Sequence, residues 1–270
     1  NEISERMAAR LPQVGGKFLQ SEDELCSIYA LTGASLAGAK AMTATASAGY
    51  NYMQEGIGYA IASEIPCVIV DVQRCRGENF ATQADVMQMR WGASGDHEMI
   101  VLAPSSVQEL FDFTIRAFNL AEKYRMPVVV MSDTTIALMR ENLVIPEADE
   151  IEIVTRPRPS VPPEEFLPFK AGPSGVPPMP DFGDGYRILH SLNPHDEAGS
   201  IHWDPEVFED LYDRITGKIT RHYEDIVQTE CFSLDDAEVG LIAYGSECRP
   251  VREAAEVARA QGVKAGMLKL

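Results

Sequence analysis

Short apolar runs alternate with longer amphipathic stretches along this chain, and polar, turn-rich junctions separate them. The spacing predicts a helix over 1–12, carried by Ile3, Met7 and Leu11, then a short strand over 17–20. Ser21-Glu-Asp-Glu24 opens a second helix that runs to about Ser35. Ala41 to Ala46 reads as a strand and Tyr50 to Ser63 as a helix. Pro66 to Val72 is a nearly unbroken apolar run, as in parallel strands covered on both faces. A polar loop over 73–83, a short helix over 85–90 and a strand over 99–102 follow. Ser105 or Ser106 caps a long helix over 107–124, with Leu110, Phe111, Ile115 and Phe118 on one side. Val128 to Met131 is the next strand.

Alternating strands and helices imply right-handed crossovers and a parallel sheet, so residues 1–150 are expected to form one α/β domain. Residues 151–203 break the pattern. Nine prolines fall within 156–180, and a polar stretch rich in Gly, Asp and His follows, which reads as an extended arm and an irregular loop. Residues 204–270 read as a helix to about Ile226, a strand over 239–244, a helix over 249–261 and a strand over 263–270. That is the expected start of a second α/β domain. An amphipathic pattern already under way at Asn1 and a bare strand at the end lead us to expect a piece of a longer polypeptide.

Composition changes this picture little: 45% hydrophobic and 24% charged residues suit a globular protein. The net charge of −18 disfavours nucleic acid and anionic membranes as partners. No apolar run approaches the ~18 residues that span a bilayer, and no signal peptide is visible. The five cysteines are scattered and contain no C-x-x-C, so reduced thiols in a cytoplasmic protein are expected, with no metal cluster held by this chain alone.

Polar junctions after parallel strands lie where ligands bind in α/β sheets. Glu24 admits two readings. As part of Ser21-x-x-Glu24 it completes a capping box; close to a cofactor nitrogen it shares a proton with that nitrogen. Arg74 and Arg76 follow the run ending at Val72, and two guanidiniums two residues apart are strong carboxylate binders. Their alternative is a solvated loop, or pairs with Glu78 and Asp85. Gly95-Asp96-His97 reads best as a tight turn in which Asp96 fixes the histidine or the backbone, with His97 a weaker acid–base candidate. His190, His195 and His202 are poorly spaced for zinc. Gly49, Gly56 and Gly58 make no dinucleotide fingerprint, and no phosphate loop occurs.

Several segments carry a resemblance: Gln20-Ser-Glu-Asp-Glu24, Ala41-Met-Thr-Ala-Thr45, Met53-Gln-Glu-Gly-Ile-Gly-Tyr59, Val70-Asp-Val-Gln-Arg74, Gly95-Asp-His97 and Ala103-Pro-Ser-Ser-Val-Gln108. Phe182-Gly-Asp-Gly-Tyr186 and Ile242-Ala-Tyr-Gly-Ser246 extend it. The chain resembles the alpha subunit of thiamine-diphosphate-dependent 2-oxoacid:ferredoxin oxidoreductases. The resemblance implies that 1–150 is the pyrimidine-binding domain, with thiamine diphosphate shared with a partner subunit. It also implies that Mg²⁺ and [4Fe–4S] clusters lie on diphosphate-binding and iron–sulfur subunits, and that ferredoxin accepts the electrons. Glu24 matches the glutamate that meets N1′ of the aminopyrimidine and activates the cofactor, and Arg74 lies in the loop that meets the substrate carboxylate. The family's Tyr-Pro-Ile-Thr-Pro-like motif would lie before Asn1. Two departures stand out: Thr45-Ala-Ser-Ala-Gly49 in place of Thr-Ser-Gly-Pro-Gly, and Arg74-Cys-Arg-Gly-Glu-Asn-Phe80 in place of Arg-Gly-Gly-Pro-Ser-Thr-Gly. The second adds Arg76 to the substrate loop. An extra guanidinium suits a small, doubly charged anion, so oxalate is the expected substrate and the oxalate branch the expected kin. 2-Oxoglutarate with coenzyme A, or a non-catalytic scaffold, are the alternatives.

Overall fold

The structure is a computed structural model, and it describes residues 2–74 and 81–270. The chain opens with α1 (Glu2–Arg10) and a 3₁₀ turn, Leu11–Val14. The alternation expected over 17–20 forms no strand, because a run this short needs a pairing partner and finds none. Then come α2 (Glu24–Leu36), β1 (Met42–Ala46), α3 (Ser47–Tyr52) and α4 (Gln54–Ala62). The helix expected over 50–63 thus starts at Ser47 and is interrupted at Met53. β2 (Cys67–Gln73), α5 (Gln83–Trp91), β3 (Ile100–Leu102), α6 (Val107–Tyr124), β4 (Pro127–Asp133) and α7 (Thr134–Leu138) complete the first unit. Ser106 caps α6 by accepting from the Glu109 amide at 3.0 Å.

β1, β2, β4 and β3 lie side by side in that order, all parallel. β4 is buried at every position and β2 at all but one, which is why these stretches read as continuous apolar runs. The core gathers Ile28, Tyr50, Ile57, Val68, Ile69, Val128 and Val129. α4 approaches α2 so closely that a Cβ at Gly56 would lie 2.4 Å from Ile28 Cγ2. Only glycine permits that contact.

Residues 151–203 hold little regular structure, yet they are pinned to the first unit at the amino end of its sheet. Arg156 is buried against Glu122, with Nε–Oε2 at 2.8 Å and Nη2–Oε1 at 2.7 Å, and it donates to the Ser35 carbonyl. Arg125 is buried and donates to the carbonyls of Pro168, Pro177 and Pro178. The helix expected over 204–226 is two helices, α8 (Pro205–Thr220) and α9 (Tyr223–Ile226). Leu211, Ile215 and Ile226 join the first core. Lys218 and Arg214 of α8 hold Glu64 at 2.6 and 2.9 Å.

β5 (Glu230–Phe232), β6 (Val239–Ala243), α10 (Cys248–Ala260) and β7 (Ala265–Lys269) form a second, smaller layer. Its sheet order is β5-β7-β6, with β6 parallel and β5 antiparallel to β7. β5 escaped the hydropathy pattern because two of its three residues are exposed. Contacts that tie this layer to the first unit include Lys269 with Glu109, Arg249 with Glu141 at 2.6 Å, and Asp133 with the Ser246 amide at 2.7 Å.

Candidate active site

Parallel strands bring their carboxyl ends to one edge, and here that edge collects Thr45, Asp71, Gln73, Arg74 and Asp133. α2 runs antiparallel to β1, so its first residue, Glu24, returns to the same edge. The capping box expected at Ser21 does not form. Asp23 is the cap, accepting from the Cys26 amide at 2.7 Å, because the helix begins at Glu24 and so puts Asp23, not Ser21, at the N-cap position. Glu24 is half-buried and lies over α3. A Cβ at Gly49 would meet Glu24 Cγ at 2.6 Å and Oε1 at 2.7 Å, and Thr45 Oγ1 at 2.0 Å. The missing side chain at Gly49 is what lets the carboxyl lie there.

Arg74 is exposed and its backbone is anchored: its amide donates to Ser47 Oγ at 2.9 Å, and the Ser47 hydroxyl donates to Asp85 Oδ2 at 2.6 Å. Asp85, one expected partner of the loop arginines, is therefore buried and engaged by Ser47. Gln73 draws the two ends of the loop together, its Nε2 donating to the Thr82 carbonyl at 3.2 Å. Arg76 and Glu78 lie outside the described residues.

His97 is buried, and its Nδ1 lies 2.9 Å from the Gly95 carbonyl, so the backbone and not Asp96 fixes the ring. The His97 carbonyl accepts from Arg90 Nη1 at 2.6 Å. His190 and His195 pack against Phe169 in the arm, while His202 pairs with Asp196 at 3.0 Å. Among the described residues, no group of three or more His, Cys, Asp or Glu is placed to hold a metal ion. No described helix is long and apolar enough to cross a membrane.

The hydropathy pattern did not disclose a second set of acids beneath the site. Asp71 is 0% exposed within β2, and among the described residues neither carboxyl oxygen has a hydrogen-bond partner. Burial first, and Asp85 second, push its carboxyl up to about 8. Burial likewise raises Asp85, against the pull of the Ser47 hydrogen bond. The Tyr50 phenol, buried in α3, is pushed up by burial and then by Asp71. The available signal was one acid inside an otherwise apolar strand.

A family model described as pyruvate flavodoxin/ferredoxin oxidoreductase, thiamine diphosphate-binding, matches residues 1–214. The 2-oxoglutarate synthase subunit KorA of Methanothermobacter thermautotrophicus is 50% identical over 274 residues, covering 100% of this chain and 72% of the relative. The ketoisovalerate oxidoreductase subunit VorB of the same organism is 35% identical over 277 residues, covering 100% and 70%. A solved 2-oxoglutarate:ferredoxin oxidoreductase from Magnetococcus marinus, with 2-oxoglutarate, coenzyme A and succinyl-CoA bound, matches with a TM-score of 0.87 at 30% identity. That match covers 100% of this chain and 48% of the solved one, so the chain spans about half its length. The parallel α/β architecture is thus shared with a solved relative. The chain belongs to the thiamine-diphosphate-binding pyruvate flavodoxin/ferredoxin oxidoreductase family, that of the 2-oxoacid:ferredoxin oxidoreductases.

Proposed function

We propose that this chain supplies the cofactor-activating face of a 2-oxoacid:ferredoxin oxidoreductase, with 2-oxoglutarate as the first substrate. The observation that carries the reading is Glu24 lying across Gly49 at the carboxyl edge of the sheet. Asp23 performs the capping, which takes away the main ground for a scaffold role. A carboxyl seated on a side-chain-free surface fits a flat aminopyrimidine. Thiamine diphosphate, when bound, supplies a nucleophilic carbon for the keto group and a sink for the electron pair left by decarboxylation.

Glu24 holds and shares the proton at N1′ of the aminopyrimidine. Arg74, at the mouth of the loop that Ser47 and Gln73 anchor, binds the substrate carboxylate. Arg76 adds the second guanidinium in this proposal. Residues 1–150 are the pyrimidine-binding unit, 151–203 the arm and 204–270 the start of the next unit. Mg²⁺ and [4Fe–4S] clusters belong to partner subunits, and ferredoxin takes the electrons.

The relatives reported above are named for 2-oxoglutarate and ketoisovalerate, which supports a 2-oxoacid and gives the oxalate branch no support. 2-Oxoglutarate also carries two carboxylates, so the argument from paired arginines serves it equally. The deciding assay is anoxic reduction of ferredoxin by the complete complex, with 2-oxoglutarate, pyruvate, 2-oxoisovalerate and oxalate compared with and without coenzyme A. The expected result is coenzyme A-dependent turnover, fastest on 2-oxoglutarate. Oxalate turnover without coenzyme A would reverse the substrate order, and silence with all four would end the reading.

A further inference from the structure

α3 is six residues long and packs against β1, β2 and α2. Each of its sides serves the site. Ser47 anchors the Arg74 amide, Gly49 forms the surface under Glu24, and Tyr50 points into the core. Asp71 pairs in register with Thr45, so the two side chains share one face of the sheet. Thr45 Oγ1 lies against Gly49, which places that face beneath α3. We propose that Asp71 is a positioning residue for the active site: through α3 it holds the surface that Glu24 rests on and the hydroxyl that anchors Arg74. The proposal rests on the function given above.

The groups around Asp71 explain how. Tyr50 comes from α3 and Asp85 from α5; Glu24, at the start of α2, and Arg74, just beyond β2, stand at the same edge of the sheet. Asp133, at the end of β4, caps α7 and receives the Ser246 amide. The Ser47 hydroxyl goes to Asp85, and among the described residues no cation forms an ion pair with Asp71. Two acids in one dry space do not both ionise, so the buried, unpartnered Asp71 is the one that keeps its proton. Its ionisation would put two negative charges under a helix of under two turns, and among the described residues neither acid has an ion-pair partner. α3 would shift, and Gly49 and Ser47 would move with it.

The test uses the complete complex. Wild-type kcat is expected to fall about tenfold between about pH 7 and about pH 9, as the neutral fraction of a group titrating near 8 falls. Asp71→Asn, whose amide cannot ionise, is expected to hold its own kcat within about twofold over that range. Hydrogen–deuterium exchange over 47–52, corrected for intrinsic rates and measured without cofactor, reports on α3 directly. Its protection should drop in the wild type over the same range and stay level in Asp71→Asn. An alkaline fall of equal size in Asp71→Asn, or level wild-type protection, overturns the proposal. Should Asp71→Asn not fold, the wild-type exchange profile decides alone. A fully active Glu24→Gln would instead remove the functional reading, an outcome that the exchange data do not depend on.

Discussion

At the amino end of the first sheet, buried charges meet their opposites. Glu64 lies 2.6 Å from Lys218 and 2.9 Å from Arg214, and Glu122 takes both arms of Arg156. At the carboxyl end, Asp71 and Asp85 share a dry space in which, among the described residues, neither is ion-paired and the neighbouring Tyr50 phenol has no hydrogen-bond partner. The first arrangement clamps the arm and α8 onto the first unit, because its ion pairs join residues far apart along the one chain. The second costs stability, and such costs are retained where chemistry needs them. The same sheet is thus built for holding at one end, and the proposed site lies at the other.

Four measurements bear on this contrast. Glu24→Gln should lower kcat by about 10²–10⁴ while the complex stays assembled and its stability moves by less than about 0.5 kcal/mol. Steady-state kinetics with urea melts check both halves, and an active variant would dissolve the distinction. Glu64→Gln should do the reverse. Stranding Lys218 and Arg214 costs about 3–5 kcal/mol in a urea melt, whereas kcat per folded molecule should change less than twofold. A large kcat loss there would show the two ends to be coupled.

Next comes acid. Burial, then Arg125, lower the His190 imidazole from 6.5 to about 4. Between those values the unfolded chain binds the proton and the folded chain does not. Stability therefore is complete above about 6.5 and declines as pH drops toward about 4, by about 3 kcal/mol. His190→Gln should flatten that slope in melts taken across the window, and an unchanged slope would assign the acid limb elsewhere. The smallest effect is Ser47→Ala. Freeing the Arg74 amide removes a hydrogen bond worth about 1 kcal/mol, so KM for the 2-oxoacid should rise about threefold to tenfold with kcat less affected. An unchanged KM would leave the Ser47 anchor without a role in binding.

Much of the fold was legible because it is written in local period. The apolar run of β2 announced a doubly covered strand, and the serine before Val107 announced the start of α6. Places where neighbours far along the chain decide were harder to read. Lys17 to Gln20 alternates like a strand but has no partner, and the helix over 204–226 breaks where α9 turns back to let Arg116 bond the Asp225 and Ile226 carbonyls. Glu24 could be singled out by resemblance, yet whether it capped a helix or faced a ligand depended on Asp23 one residue away.

Periodicity and composition by themselves determined the class of fold, its main strands and the edge where a site would lie. Hydrophobic spacing of about two or 3.6 residues is a local property that any folded partner must respect. The tertiary structure alone decided which acids would be buried together and which would be neutralised. It brought Lys218 to Glu64 across 154 positions and left Asp71 beside Asp85 with no ion pair among the described residues. Charge pairing acts through space, and the sequence records no distance between residues that meet only when the chain has folded.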